Sequence, residues 1–210
     1  MTGLCRVEGW SWLDEGEAAD IRFAEEADWA RGVLEGWFAD RADLVIQPAA
    51  HREKRLLVAD MDSTMITVEC IDELADYAGI KTEVAAVTEA AMRGELDFEG
   101  ALDARVALLK GLDEGAIDRC LAERVRIMPG AEVLVRTMRA RGALAVLVSG
   151  GFTRFAEPVA ERIGFDRAIA NRLLVEDGRL TGRVAKPIVG ADTKLETLRA
   201  ATAERGLRTE

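Results

Sequence analysis

The sequence has 210 residues, of which 49% are hydrophobic and 31% are charged, as in ordinary globular proteins. Its formal net charge of −10 argues against a nucleic-acid-binding surface, which needs a basic patch. No apolar run approaches the roughly 20 residues that span a bilayer, and the first residues lack the features of a signal peptide, so a cytoplasmic protein without membrane contact is expected.

Residues 1–54 are predicted to form a small α+β unit that ends in a polar linker. Trp10–Trp12 and Leu44–Ile46 are the expected strands, and Glu25–Ala39 carries apolar residues at helical spacing. All four tryptophans precede residue 40. This clustering favours a hydrophobic core for the small unit, with a ligand-binding aromatic cluster as the alternative.

The next segment is a short apolar strand followed by two aspartates. Leu56–Ala59 is apolar on successive residues, as expected of a strand buried on both faces. Asp60 and Asp62 follow at its carboxyl end, where open α/β sheets bind ligands. Residues two apart in an extended chain point the same way, so both carboxylates can reach one site. The pair suits a nucleophile with a proton-shuttling neighbour, or a pair of metal ligands; a solvated turn is the alternative.

Residues 69–126 have a helical pattern throughout, and its segments end at glycines. Three of the helices are predicted at Glu69–Ala78, Thr82–Arg93 and Asp97–Lys110. Cys70 and Cys120 fall within this pattern and are predicted to be small core residues. The three scattered cysteines and the single histidine favour neither a disulfide framework nor a zinc site.

Strands and helices alternate after this insertion, which predicts a parallel α/β core. The expected strands are 143–149 and 168–171, and the expected helices are 131–141, 153–163 and 193–205. Residues 173–181 are predicted to form a hairpin with Asp177-Gly178 as its turn.

Two further motifs fall at the edges of these elements. Ser149-Gly150-Gly151 lies between a strand and a helix, where a hydroxyl and backbone amides can form an anion cradle, although alone it indicates only a tight turn. Lys194 lies in the first turn of the last helix, where a cation is unfavourable for the helix dipole, so a functional reason is plausible. A solvated surface lysine is the alternative.

The segment DMDSTMITVECIDELA, the Ser-Gly-Gly motif and Lys194 together resemble the motifs of the haloacid-dehalogenase-type phosphatases, and among them the phosphoserine phosphatases. The resemblance extends from about residue 55 to about residue 200. It implies an α/β fold with a Rossmann-like parallel-sheet core, formed by residues 55–68 and 127–210. Residues 69–126 would be a helical-bundle cap inserted into that core.

The resemblance also implies a role for each polar motif. Asp60 would be the nucleophile and form an aspartyl phosphate, and Asp62 would protonate the departing oxygen and then activate water. Mg²⁺ is the implied cofactor, with the Asp60 carboxylate and the Asp62 carbonyl as metal contacts. Ser149, the Gly150 amide and Lys194 would hold phosphoryl oxygens, since a chain of net charge −10 needs local cations to bind a phosphate ester.

The substrate implied is O-phospho-L-serine, which carries an ammonium and a carboxylate besides its phosphate. Glu69 and Arg105 occupy the matching positions for these two groups, and Met92 and Phe98 match apolar cap residues that pack against the substrate. Arg105 also shares an apolar helical face with Phe98 and Leu102, although an arginine whose stem reaches out to solvent would fit that face as well. This small molecule is the expected partner, and a homodimer is left open.

One part of the resemblance is missing, because no Gly-Asp-Gly-x-Asn-Asp motif, which would complete the Mg²⁺ site, occurs before residue 210. We therefore expect a core that is incomplete at its carboxyl end, an unpaired edge beside the first strand, weak metal binding and little turnover. A non-catalytic remnant and a capped phosphatase for another small phosphomonoester are the rival interpretations. A receiver-like phospho-acceptor module is a third, but the helical insertion after the first strand counts against it.

Overall fold

The computed structural model describes residues 6–24 and 26–208. Cys5 and the predicted first residue of the first helix, Glu25, lie outside the described residues, as do the last two residues of the chain. The chain separates into two compact units between Glu53 and Lys54. Within the described ranges, no helix is long and apolar enough to cross a membrane.

The first unit consists of an antiparallel hairpin and one helix. Its elements are β1 (Val7–Asp14), β2 (Ala18–Phe23) and α1 (Ala27–Phe38). The strand predicted at Trp10–Trp12 is confirmed as part of β1, but the strand predicted at Leu44–Ile46 is wrong. Ile46 is buried in a loop and its carbonyl accepts a hydrogen bond from Arg31 Nη2 at 3.0 Å, so this segment packs without joining a sheet.

The prediction that the tryptophans form a core for this unit is also wrong. Trp10, Trp12, Trp29 and Trp37 are 60, 49, 47 and 52% exposed. Trp10 and Trp12 lie on one face of β1 and touch edge to face, with ring centroids 5.4 Å apart. A two-stranded hairpin and a single helix offer too little surface to enclose four indole rings. Among the described residues of this unit, the buried hydrophobic ones are Ala30 and Ile46.

The second unit contains the predicted parallel sheet, which confirms the α/β fold class. Its strands are β3 (Leu56–Ala59), β4 (Leu144–Phe152) and β5 (Arg167–Asn171), in the order β3-β4-β5. The helices that accompany them are α6 (Ala131–Ala140), α7 (Thr153–Ile163) and α8 (Ala191–Glu204). The first five residues of β4 are buried, as its unbroken apolar run predicts, and so is Ser149 after them. Ala59 pairs with Leu147, so the residues that follow these two leave the sheet at the same edge.

The helical insertion contains four helices. They are α2 (Cys70–Ala78), α3 (Lys81–Met92), α4 (Phe98–Leu108) and α5 (Gly115–Glu123). The first ends at Gly79 in the left-handed conformation (φ 70°), as its sequence predicts. Cys70 and Cys120 are fully buried in a core that also includes β4 residues, which confirms their predicted place. The insertion and the sheet therefore share one continuous core.

The predicted hairpin is confirmed as β6 (Leu173–Glu176) and β7 (Arg179–Val184). It is joined to the loop between α4 and α5 by backbone hydrogen bonds, Gly111 N to Leu180 O at 2.8 Å and Leu180 N to Leu112 O at 2.9 Å. Gly182 (φ 76°) lies so close to α4 that a Cβ there would stand 3.2 Å from Ala107 O in that helix and 2.9 Å from Lys110 Cβ just after it. These contacts pack the hairpin against the helical insertion.

Candidate active site

The carboxyl edge of the sheet brings together an aspartate and a lysine from distant parts of the sequence. Asp60 follows β3 directly, and α8 presents Lys194 from its first turn. The Lys194 Nζ lies 2.5 Å from Asp60 Oδ2, while the other carboxylate oxygen accepts a hydrogen bond from Met61 N at 2.8 Å. Both side chains remain partly exposed, 37% for Lys194 and 40% for Asp60. The carboxylate is thus held in one orientation and still open to a ligand.

Asp62 lies deeper than Asp60 and in a different environment. Its Oδ1 accepts a hydrogen bond from the backbone N–H of Cys70, the first residue of α2, at 3.2 Å. Burial raises the pKa of Asp62 to about 6, and the hydrogen bonds from the Cys70 thiol and amide oppose that rise. A carboxyl group that titrates near neutral pH can both give and take a proton, which is the property a general acid and base needs.

Ser149 and the two glycines after it lie in a bulge of β4. Val148 pairs with Ile169 and Phe152 pairs with Asn171, so β4 advances four residues where β5 advances two. The bulge moves residues 149–151 out of the ladder at the edge where Asp60 lies. Ser149 is buried, and its Oγ accepts a hydrogen bond from Gly151 N at 2.8 Å, which leaves the hydroxyl proton available for an anion.

Close contacts explain why the bulge contains glycine. A Cβ on Gly151 would stand 2.9 Å from Asp62 Oδ2 and 3.1 Å from Ser149 Oγ. A Cβ on Gly150 would stand 3.0 Å from the Cζ of Phe98. The backbone here is therefore approached from one side by the Asp62 carboxylate and from another by an aromatic ring of the helical insertion.

Phe98, the first residue of α4, covers this edge of the sheet. Its ring contacts the backbone of Gly150 and also of Gly190, where a Cβ would stand 3.2 Å from Cε1. Gly190 is the residue before α8, and its backbone is extended, so the ring rather than the φ angle requires glycine there. Met92, which is predicted to act beside Phe98, is the last residue of α3 and is 85% exposed, so its packing against a substrate stays a prediction.

Two predicted substrate-recognition residues have different surroundings. Glu69 is exposed at the start of α2, and its Oε1 accepts a hydrogen bond from Ser63 Oγ at 2.6 Å. Arg105 is half-buried on the face of α4 that also carries the buried Leu102, and its Nε donates to Ala101 O at 3.2 Å. No ion pair involving Arg105 occurs among residues 6–24 and 26–208. Its guanidinium remains available for an anion.

Sequence reasoning missed Ser63 and Cys70 as parts of this site. Ser63 has a left-handed backbone (φ 52°), and its N–H donates to Val68 O at 3.2 Å, which closes the loop that connects Asp62 to Glu69. Nothing in the sequence indicates a positive φ at a serine. Cys70 was identified only as a core residue, although its place at the first turn of α2 puts its amide beside Asp62.

The side chains present suit a hard cation held by few protein ligands. Among the residues that the structure describes, no cluster of three or more His, Cys, Asp or Glu side chains can hold a metal ion. Mg²⁺ commonly takes one or two carboxylates and completes its shell with water and substrate phosphate. The partly exposed Asp60 carboxylate fits that pattern. A site enclosed by protein ligands alone does not fit the side chains found here.

Comparison with known proteins gives a consistent result. Residues 57–210 match the model of the haloacid dehalogenase-like hydrolase family. The chain is 49% identical to a phosphoserine phosphatase of Streptomyces coelicolor over 164 residues, which are 78% of this chain and 40% of that protein. Two solved structures, a phospho-aspartyl intermediate analogue of phosphoserine phosphatase and a substrate-bound phosphoserine phosphatase, are 38% and 37% identical, each with a TM-score of 0.68. Each match covers 75% of this chain. It covers 75% of the first solved chain and 74% of the second.

The curated relatives are longer than this chain. It spans 40, 49 and 39% of three of them, which is about half of their length or less. The family model begins at residue 57, close to the start of the second unit.

Proposed function

The chain belongs to the haloacid dehalogenase-like hydrolase family, and from this premise we propose that it hydrolyses O-phospho-L-serine to L-serine and phosphate. The observation that carries the proposal is the contact of the Lys194 ammonium with the Asp60 carboxylate at 2.5 Å. It places a positive charge where a phosphoryl group bound to Asp60 would carry negative charge. The similarity to phosphoserine phosphatases supports the choice of substrate.

The reaction has two steps at one aspartate. In the first, a carboxylate oxygen of Asp60 attacks phosphorus, the bond from phosphorus to the serine oxygen breaks, and Asp62 donates its proton to that oxygen. In the second, Asp62 takes a proton from water, the hydroxide attacks phosphorus, and the acyl phosphate bond breaks to release phosphate and restore Asp60. The pKa of Asp62, about 6 through burial, suits a group that must be protonated in one step and ionised in the next.

The phosphoryl oxygens would be held by three groups. The Ser149 hydroxyl and the Gly150 amide lie in the bulge of β4, and the Lys194 ammonium contacts Asp60. Phosphatases of this family generally use a divalent metal ion, and we propose Mg²⁺, with the Asp60 carboxylate and the Asp62 carbonyl as its protein ligands. Such an ion neutralises charge on the phosphoryl oxygens.

Residues of the helical insertion would recognise the rest of the substrate, with residues 69–126 acting as a cap. Glu69 would bind the ammonium group, and Arg105 would bind the carboxylate in the two-point manner that guanidinium geometry favours. Phe98 would exclude water from the phosphoryl group, since its ring already covers Gly150. The apolar role of Met92, the division of the chain into a small unit at 1–54, a core and a cap, the homodimer and the cytoplasmic location remain predictions.

The test is phosphate release from O-phospho-L-serine in the presence of Mg²⁺. Asp60→Asn should abolish it, because an amide is not a nucleophile toward phosphorus. Glu69→Gln and Arg105→Ala should lower kcat/KM for O-phospho-L-serine at least tenfold each and leave hydrolysis of an aryl phosphate nearly unchanged. Equal losses on both substrates would favour another small phosphomonoester as the substrate.

A further inference from the structure

A buried amide side chain lies at the carboxyl end of β5. Asn171 is 1% exposed, and its Nδ2 donates hydrogen bonds to Gly150 O at 2.9 Å and Val189 O at 3.0 Å. Its Oδ1 accepts a third from Val189 N at 2.7 Å. Backbone carbonyls only accept and a backbone N–H only donates, so these partners fix which end of the amide carries oxygen. Both N–H groups of the side chain are therefore used.

The bulge in β4 creates the need for this side chain. Because the ladder between β4 and β5 is interrupted between Val148 and Phe152, the carbonyl of Gly150 leaves the strand pairing. A buried carbonyl without a partner costs about 1–3 kcal/mol. Asn171 pairs with Phe152 in the register, so its side chain stands beside the bulge and supplies the missing donor.

The other partner of Asn171 lies just before helix α8. Val189 immediately precedes Gly190, the residue from which α8 starts, and Lys194 lies in the first turn of that helix. One amide thus connects the bulge proposed to hold phosphoryl oxygens with the loop that positions the lysine over Asp60. Among the hydrogen bonds of residues 6–24 and 26–208, no other side chain joins these two segments.

We propose that Asn171 is a positioning residue, which sets the distance between the phosphate-binding bulge and Lys194. The proposal rests on the proposed function of the site, although the contacts on which it depends do not. Asn171→Asp preserves the shape of the side chain but replaces its donor with an oxygen. That oxygen would face the carbonyls of Gly150 and Val189, which repel it, so the two segments should separate.

Asp166 offers a matched control at the other end of the same two strands. Its Oδ2 accepts a hydrogen bond from Ala145 N at 2.9 Å, so it too joins the region of β5 to β4 through a side chain. It also pairs with Arg139 at 2.6 Å. Asp166→Asn should destabilise the protein without altering the carboxyl edge of the sheet, where Lys194 lies.

The experiment measures how fast Lys194 is acetylated in the folded protein, by brief treatment with an acetylating reagent and peptide mass spectrometry. Lys194 is held against Asp60 in the native chain, whereas Lys81 is exposed and serves as the internal standard. In Asn171→Asp we expect acetylation of Lys194, relative to Lys81, to rise at least threefold, and in Asp166→Asn to stay unchanged. Circular dichroism and thermal melting establish that each variant is folded.

A folded Asn171→Asp protein that acetylates Lys194 at the native rate would overturn the proposal. So would an equal rise in Asp166→Asn, since that would reflect general loosening. If Asn171→Asp does not fold, Asn171→Ser carries the same comparison, because a serine hydroxyl donates only one of the two hydrogen bonds.

Turnover separates this inference from the proposed function. In Asn171→Asp, kcat for O-phospho-L-serine should fall about 10- to 100-fold, as expected when reacting groups are misplaced by about 1 Å, whereas Asp166→Asn should retain it. Native kcat in an Asn171→Asp protein with faster acetylation would count against a positioning role. If the native protein hydrolyses no phosphoserine, the proposed function fails, and acetylation of Lys194 alone decides the inference.

Discussion

The Lys194 ammonium lies 2.5 Å from the Asp60 carboxylate, although the two residues are 134 positions apart in sequence. The contact requires β3 and α8 to meet at one edge of the sheet, so it reports both the fold and the chemistry. In Lys194→Met the length of the side chain is kept and the charge is lost.

We expect Lys194→Met to lower kcat/KM for O-phospho-L-serine about 10²- to 10³-fold, the usual effect of losing one group that stabilises transition-state charge. The measurement is steady-state phosphate release. Lys81→Met, which removes an exposed lysine at the start of α3, is the control and should behave as the native protein. A loss below threefold in Lys194→Met would exclude a direct role for the ammonium.

Asp62 should impose a cost in stability that depends on pH. Burial raises its pKa from 3.8 to about 6, so the folded protein disfavours the ionised form. The cost is absent below about pH 4, grows as the pH rises to about 6 and stays constant above that. Asp62→Asn removes this cost. At pH 7 the variant should therefore unfold at a higher temperature than the native protein, and its free energy of unfolding should be higher by up to about 3 kcal/mol.

The measurement is thermal unfolding from pH 4 to pH 8 in the presence of a chelator. The advantage of Asp62→Asn should be smallest at pH 4 and level off above pH 6. Asp43→Asn, at an exposed loop position in the first unit, should follow the native curve. An advantage that is the same at every pH would contradict the assignment.

Gly151 should tolerate no side chain. A Cβ there would stand 2.9 Å from Asp62 Oδ2 and 3.0 Å from Met61 Cε. The methionine methyl group ends a flexible side chain and can move aside, so Gly151→Ala acts mainly by displacing the carboxylate of the proton carrier. We expect kcat to fall 10- to 100-fold. Gly36→Ala is the control, because Gly36 lies inside α1 with no neighbour within 4 Å; it should leave kcat unchanged and stabilise its helix by about 1 kcal/mol.

Ser63 should act on substrate selection through Glu69. Ser63→Ala removes the 2.6 Å hydrogen bond to Glu69 Oε1 and leaves the carboxylate free to turn away. We expect KM for O-phospho-L-serine to rise about two- to tenfold, the range of one net hydrogen bond, with kinetics on an aryl phosphate unaltered. Thr64→Ala, at the neighbouring exposed position, should change neither substrate. An equal change on both substrates would mean that Ser63 shapes the loop rather than Glu69.

The parallel core was predictable because its signals are local and agree with one another. The apolar run of β4 predicts a buried strand, and the glycine after α2 predicts the end of a helix. Both predictions are confirmed. The first strand and the helix of the first unit were also predictable, but its core was not, because amino-acid composition cannot reveal how much surface is available to cover an indole. The residue type of Trp10 and Trp12 predicts that they are buried in a core. They lie instead on a two-stranded hairpin that has too few neighbouring residues to bury them.

The candidate site divides in the same way. Asp60, Ser149 and Lys194 lie at or near the ends of elements that can be read from the sequence, and the fold brings Lys194 against Asp60. The contacts of Asn171 and Ser63 depend on a strand bulge and on a left-handed backbone, and neither leaves a mark in residue type. The 85% exposure of Met92 was not predictable either, because helical spacing fixes the face of a residue but not what lies against that face.

The most direct test of the account is to identify the residue that becomes phosphorylated. The native protein is mixed with O-phospho-L-serine and Mg²⁺, quenched in acid within the first turnover and treated with borohydride, which reduces an acyl phosphate to an alcohol. The account predicts that peptide mass spectrometry then finds homoserine at position 60, and only when substrate was present. Reduction at Asp62 or any other residue, or phosphate release with no reduced residue at all, would contradict it.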